Sequence, residues 1–160
     1  MLKMNRLREA LTASSRWCRA NPEKLTVFAE SGNIETTGET PTFVYRYTLV
    51  AFVMDFPGHI DELMLPLIVW LMHNQPDLLL NPEKNQDVKF SVAVNDDDST
   101  DLLLEIPVRE RVKVCRNERG ELYPVHLPEP RPPAALTGTW GELIVEDVTF
   151  KDLTDEHDDA

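Results

Sequence analysis

With 160 residues, 42% of them apolar and 28% charged, the chain has the size and composition of one soluble globular domain and is too apolar to be disordered throughout. A formal charge of −12 excludes a general phosphate-binding surface, because nucleic-acid affinity comes largely from Lys and Arg displacing counterions. DNA could still pass close by without sticking.

Met4, Leu7, Leu11 and Cys18 follow a 3-4 spacing with Ala10 and Trp17 beside them, which predicts one amphipathic helix over Lys3–Ala20. Arg6, Arg8, Glu9, Arg16 and Arg19 lie on its other face, and charges mixed through the opening stretch leave no secretory leader, so a reducing cytoplasm is expected. Cys18 and Cys115 lack CxxC or metal-ligand spacing and read as reduced, buried residues. Asn21-Pro22-Glu23 ends the helix. Lys24–Glu30, followed by Ser31-Gly32-Asn33, predicts a short strand and a turn, with a polar loop over Thr36–Pro41.

Phe43–Phe56 carries the clearest strand signal. Phe43, Tyr45 and Tyr47 alternate with Arg46 and Thr48, whereas Val50–Met54 is apolar at both parities, so that end should be covered on both faces. Asp61 is the expected N-cap of a second helix that runs to Asn74, is kinked by Pro66 and is stopped by Pro76. Its unbroken apolar run, Leu63–Met72, would be only about 15 Å long, half of a hydrocarbon layer, so it is not a membrane span. It is core or a subunit contact, and Trp70 admits both readings.

Val88–Val94 alternates, Asn95–Thr100 supplies a turn, and in Asp101–Cys115 the residues Leu102, Leu104, Ile106 and Val108 share one parity. The two segments predict an antiparallel hairpin, and Pro107 at the opposite parity marks an edge or a bulge. Arg116–Gly120 turns the chain into a short strand over Glu121–Leu127. Pro128–Pro133 should be an extended spacer of about 3.1 Å per residue. Thr139–Phe150 has strand character, and Lys151–Ala160 is an acidic end. An apolar strand on a stiff tether either folds back on its own sheet or adds to a neighbour's. The expected organisation is an α+β domain over 1–127, a proline spacer over 128–133, a strand arm over 134–151 and an acidic tail over 152–160.

Candidates for chemistry are few. Asn95–Asp101 offers alternate carboxylates suited to calcium but lacks the central glycine and closing glutamate of an EF-hand loop, so it reads as a solvated hairpin turn. His59 stands near Asp55, Asp61 and Glu62, but the last two suit a helix start. No glycine-rich phosphate loop, G-x-S-x-G or paired His/Cys set occurs. No catalytic, cofactor-binding or metal-ligating residue is assigned. The candidates for protein contact are Trp70, Pro107, Arg109, Arg111, Trp140, Leu143 and Val145.

The stretches "MLKMNRLREALT", "NPEKLTVF", "RYTL", "DFPGHIDEL" and "PLIVWLMHNQPD", followed by the "VNDDDSTDLLLEI" hairpin, resemble in order and spacing the tail completion protein R family (GpR) of contractile-tailed bacteriophages and prophages. The likeness runs from Met1 to about Pro133. It implies a structural virion protein, assembled in the host cytoplasm and added at the head-proximal end of a finished tail. There it would stop tube and sheath growth and prepare joining to the head. It also implies a small tail-terminator-like α+β domain, a mostly antiparallel sheet with two helices against it and an extended C-terminal arm, closing into a hexameric ring. Its partners would be sister copies, tail tube and sheath proteins and head–tail connector proteins, with no cofactor and no membrane. A head-to-tail contact that closes by rotation gives such a ring, and an acidic one would let DNA through its channel without binding it. The alternative is a cytoplasmic tail-assembly adaptor or chaperone that leaves before the particle is complete.

Overall fold

A computed structural model describes residues 1–130, 138–143 and 148–153. Five antiparallel strands form one sheet: β1 (Leu25–Thr36), β2 (Phe43–Phe56), β3 (Lys89–Val94), β4 (Thr100–Arg116) and β5 (Leu122–His126). The order is β1-β2-β4-β3, with β5 also on β4. The helices are α1 (Leu2–Ser14), α2 (Arg16–Ala20), α3 (Asp61–Asn74), α4 (Pro76–Leu80) and a short C-terminal α5 (Gly138–Leu143). The fold is thus the expected α+β class.

Alternation decides which face is buried. Leu49, Ala51 and Val53 of β2 and Leu102, Leu104, Ile106 and Val108 of β4 point to one side, where α1 and α3 cover them with Leu7, Leu11, Leu63, Leu67, Trp70 and Leu71. Each Leu, Ile and Val among them contributes about 1.5–3 kcal/mol by leaving water, so this seam fixes the register of the sheet. Trp17 closes one end, edge-on to Phe56 at a centroid distance of 5.3 Å. On the far face of β2 only Val50 is buried, while Phe52 and Met54 are half-buried, so the expected covering of Val50–Met54 on both faces is partial. Val50, on the far face, is flanked in register by Phe28 and Glu105.

Four details differ from expectation. The first helix breaks at Ser15, whose extended backbone (φ −110°, ψ 113°) starts α2 and whose hydroxyl accepts from Cys18 N at 3.2 Å. Serine competes with the helical backbone in this way, so α1 and α2 are separate. Ser31-Gly32-Asn33 is a β-bulge inside one long strand and not a turn. A side chain at Gly32 would run into the Arg46 carbonyl oxygen and come within 2.8 Å of Tyr47 Cβ, so glycine allows β1 to stay paired with β2 as far as Thr36 and Phe43. Third, Asp61 is the first helical residue of α3, not its cap. Ile60 holds the cap position with no side-chain bond, and the first turn closes through Leu63 N and Met64 N to the Ile60 carbonyl. Pro66 lies within α3 and Pro76, besides ending it, opens α4. Fourth, Gly138–Leu143 is helical where a strand was expected; Val145 lies outside the described residues.

Candidate assembly surface

On one side β4 has β2 along Thr100–Val112. On the other, β3 pairs with Thr100–Glu105 and β5 with Val112–Arg116, which leaves the stretch between them open. Pro107 falls in this opening, where its missing N–H costs no ladder bond. The backbone N–H of Arg109 finds a side chain there instead, Gln75 at the α3–α4 junction, whose Oε1 accepts it at 3.2 Å.

Gln75 is the centre of a buried polar clasp. Its Oε1 also accepts from Lys3 Nζ at 2.6 Å, and its Nε2 donates to Asp77 Oδ1 at 2.6 Å. Lys3 reaches Glu129 Oε1 at 3.2 Å with both side chains almost wholly enclosed (6% and 4% exposed). Arg109 adds a second bond to Glu129 at 3.4 Å, and Arg111 donates to the Pro128 carbonyl at 2.9 Å. Leu127 N donates to the Arg111 carbonyl at 2.8 Å. The segment from Leu127 to Glu129 is thereby fastened to the start of α1 and the middle of β4.

Glu110 forms the other half. It continues the buried parity of β4 between Val108 and Val112, so its carboxylate faces the protein interior. It accepts from Leu2 N at 2.8 Å and from the Tyr47 hydroxyl, and His126 Nδ1 lies 3.3 Å away. Burial first, then the hydrogen bond to Glu110 and its charge, push the Tyr47 phenol well above its ordinary range. Burial lowers the Lys3 ammonium, with the Glu129 carboxylate opposing it. At Asp77 burial is outweighed by hydrogen bonds from Gln75 and Lys84 and by the Arg109 charge, which hold its carboxyl low. Chemically the clasp holds a chain segment in place; its charges are spent on one another.

The protein-contact candidates separate into three places. Pro107, Arg109 and Arg111 share the parity of β4 opposite its core row, and both arginines serve the clasp. Trp70 is buried on α3 within the core, and its indole Nε1 has no hydrogen-bond partner. Trp140 is half-buried and Leu143 is 68% exposed on α5. Lys3, Tyr47, Gln75, Glu110 and Glu129 were not anticipated. Only Glu110 left a signal in the sequence, a charge at the apolar parity of a strand.

The Asn95–Asp101 turn uses its polar groups internally. Asp97 Oδ1 accepts from Ser99 N at 3.1 Å and Ser99 Oγ at 2.6 Å, and Asp101 Oδ1 accepts from Asp55 N at 2.9 Å. Among the described residues no group of three or more His, Cys, Asp or Glu could hold a metal ion, and no helix is long and apolar enough to cross a membrane.

The profile of the P2 phage tail completion protein R (GpR) family matches residues 1–130, which include every strand, α1 to α4 and the complete clasp. The chain belongs to this family. Tail completion protein R of Escherichia phage P2 is 35% identical over 139 residues, covering 86% of this chain and 89% of that protein. No solved structure matches significantly. As a GpR family member the chain is a phage tail completion protein, associated with the tail and its other components. The family region ends one residue after the clasp grips Glu129; α5 and Val148–Leu153 lie beyond it.

Proposed function

We propose that the chain is a structural protein without turnover that caps the head-proximal end of the tail as a hexameric ring, stops tube and sheath polymerisation and prepares the tail to join the head. The observation that carries this reading is the family match across the whole sheet and its helices. The surface supports it. β3 is an edge strand exposed along its length, with Phe90 63% and Val94 73% accessible, and apolar edges of this kind suit contacts between copies. Pro107 with Arg109 and Arg111, and Trp140 with Leu143 on α5, are further contact surfaces for sister copies, tube, sheath or connector proteins. The charge of −12 suits a channel that lets DNA pass without binding it.

Native mass measurement and electron microscopy of the purified protein test the ring directly, and a single closed oligomer is the expected result. Phage lacking the protein should give unjoined heads and tails, with tails of uncontrolled length. A protein that stays monomeric and does not bind tail tubes overturns the proposal.

A further inference from the structure

Most margins of the sheet carry a device against further pairing. β1 bulges at Gly32, and its Val27 carbonyl already accepts from Arg8 Nη2 at 2.6 Å. The open flank of β4 is taken up by Pro107 and by the bond of Arg109 N to Gln75. On β5, Asn117 N donates to the Glu121 carbonyl and Leu127 N to the Arg111 carbonyl, which turns the odd residues toward β4. Pro124 therefore faces outward, where it offers no donor. Bulges, prolines and charged side chains keep an edge from recruiting another strand. β3 lacks such protection: it pairs with β4 without a bulge, contains no proline and is exposed at all six positions.

The ladder defines what that free side presents. Asn95 N donates to the Ser99 carbonyl at 2.8 Å. Alternation from this bond points the backbone of Lys89, Ser91 and Ala93 at β4, and the N–H and C=O groups of Phe90, Val92 and Val94 away from it. The side chains of the same three residues stand beside Leu104, Leu102 and Thr100 on the helix-covered face. They are nevertheless 63%, 41% and 73% exposed, so the helix layer stops short of them. An apolar row and a row of unpaired backbone groups thus share one edge. We infer that this edge pairs with the β3 edge of a second copy, antiparallel about a two-fold axis at Val92. In that register Phe90 of each copy faces Val94 of the other and Val92 faces Val92. All three outward N–H groups on each strand then meet carbonyls, and every facing pair on the helix side is apolar. Lys89 comes opposite Asn95 of the partner, where the Asp96–Asp98 turn begins, so the one charge of the strand meets carboxylates and not another ammonium. A slip of two residues would leave Val94 facing Val88, or Phe90 facing Asp96, beyond the strand. β3 is also the unprotected edge that a second copy has to offer, which makes the contact isologous. It closes on two copies, so it is separate from the head-to-tail contacts of the ring proposed above and does not rest on them.

Cross-linking at the axis tests the pairing and its register together. In a Cys115→Ser background, with Cys18 buried and left in place, Val92→Cys and Phe90→Cys are compared in the purified full chain under mild oxidation. Facing residues of a hydrogen-bonded pair have Cα atoms about 5.5 Å apart, within disulfide reach, whereas the two Phe90 positions would lie about 13 Å apart. The expected result is a disulfide-linked dimer from Val92→Cys, at least tenfold more abundant than from Phe90→Cys. Val92→Pro removes an N–H that points away from β4, so it should keep the wild-type melt while halving the mass of the associated species in sedimentation. Equal cross-linking of the two cysteine variants, or an association that survives Val92→Pro unchanged, overturns the inference. So does a chain that is monomeric in sedimentation yet loses binding to tails on Val92→Pro, a result that would give the edge to a strand of another tail protein.

Discussion

Glu110 is a carboxylate at a position where the alternation of β4 calls for another Leu or Val, and it is retained in the interior by the Leu2 N–H and the Tyr47 hydroxyl. Tyr47 makes this arrangement measurable. Its folded pKa lies above the ordinary value near 10, so above pH 10 the unfolded chain releases a proton that the native state keeps, and stability must fall as pH rises. Lys3 acts in the opposite sense. Its folded pKa lies below 10.5, so the native state sheds its proton first and the cost of its burial is relieved as pH climbs toward that value. Comparing wild type with Tyr47→Phe isolates the phenol: between about pH 9 and 11 the urea midpoint of the variant should decline less steeply, and parallel declines would remove Tyr47 from this account. Lys3→Met tests the other half of the clasp. It leaves Glu129 buried without its ammonium, and a loss of about 2–3 kcal/mol is expected in urea titration, less than for a fully broken buried pair because Arg109 still reaches Glu129. None of this could be read from the chain beyond the parity of Glu110, since Lys3, Gln75 and Glu129 lie in three separate segments and meet only after the sheet and helices have packed.

At the level of elements, β2, α3 and the β3–β4 hairpin were legible in the sequence because each has a long, unambiguous period bounded by turn residues. Each departure from expectation has a physical cause. The 3-4 spacing continues from Leu11 to Cys18 across the break, so periodicity could not reveal that Ser15 would cap a new helix. Ser-Gly-Asn has turn composition, yet β2 offers pairing as far as Phe43 and the chain takes it by bulging at Gly32. The strand character of Thr139–Phe150 came from Ile144, Val145 and Val148, all of them C-terminal to the helix that forms. For α3 the expected two-fold choice between core and contact resolves toward core at Leu67, which is 2% exposed, while Leu65 on the same helix is 48% exposed. Leu67→Asp should abolish cooperative thermal unfolding, because an unpaired buried charge added to a lost leucine approaches the whole stability of a domain, about 5–15 kcal/mol. Leu65→Asp should stay within about 0.5 kcal/mol of wild type by circular dichroism melting. Similar melts for both would mean that α3 is held by something other than this seam.

For the molecule as a whole, the ring proposal puts folding in residues 1–130 and adds, to the contact surfaces on that domain, an assembly surface beyond them. The sheet, α1 to α4 and the clasp are complete by Pro130, and among the described residues every buried hydrophobic side chain of the core lies before Pro130. Beyond Pro130 the described residues add one six-residue helix and a short segment laid on a groove between α1 and α3. Two changes should therefore separate two readouts. A chain ending at Pro130 should melt within about 5 °C of the full protein, a shift of one or two kcal/mol at this size, yet fail to close into rings by native mass. Trp140→Ala, which removes a half-buried aromatic from α5, should leave the melt unchanged and weaken assembly by more than about tenfold, the ordinary cost of losing an aromatic anchor at a contact. If instead truncation collapses the melt and the ring together, residues beyond Pro130 are part of the fold, and the division of the chain into a folding core and an assembling arm is wrong.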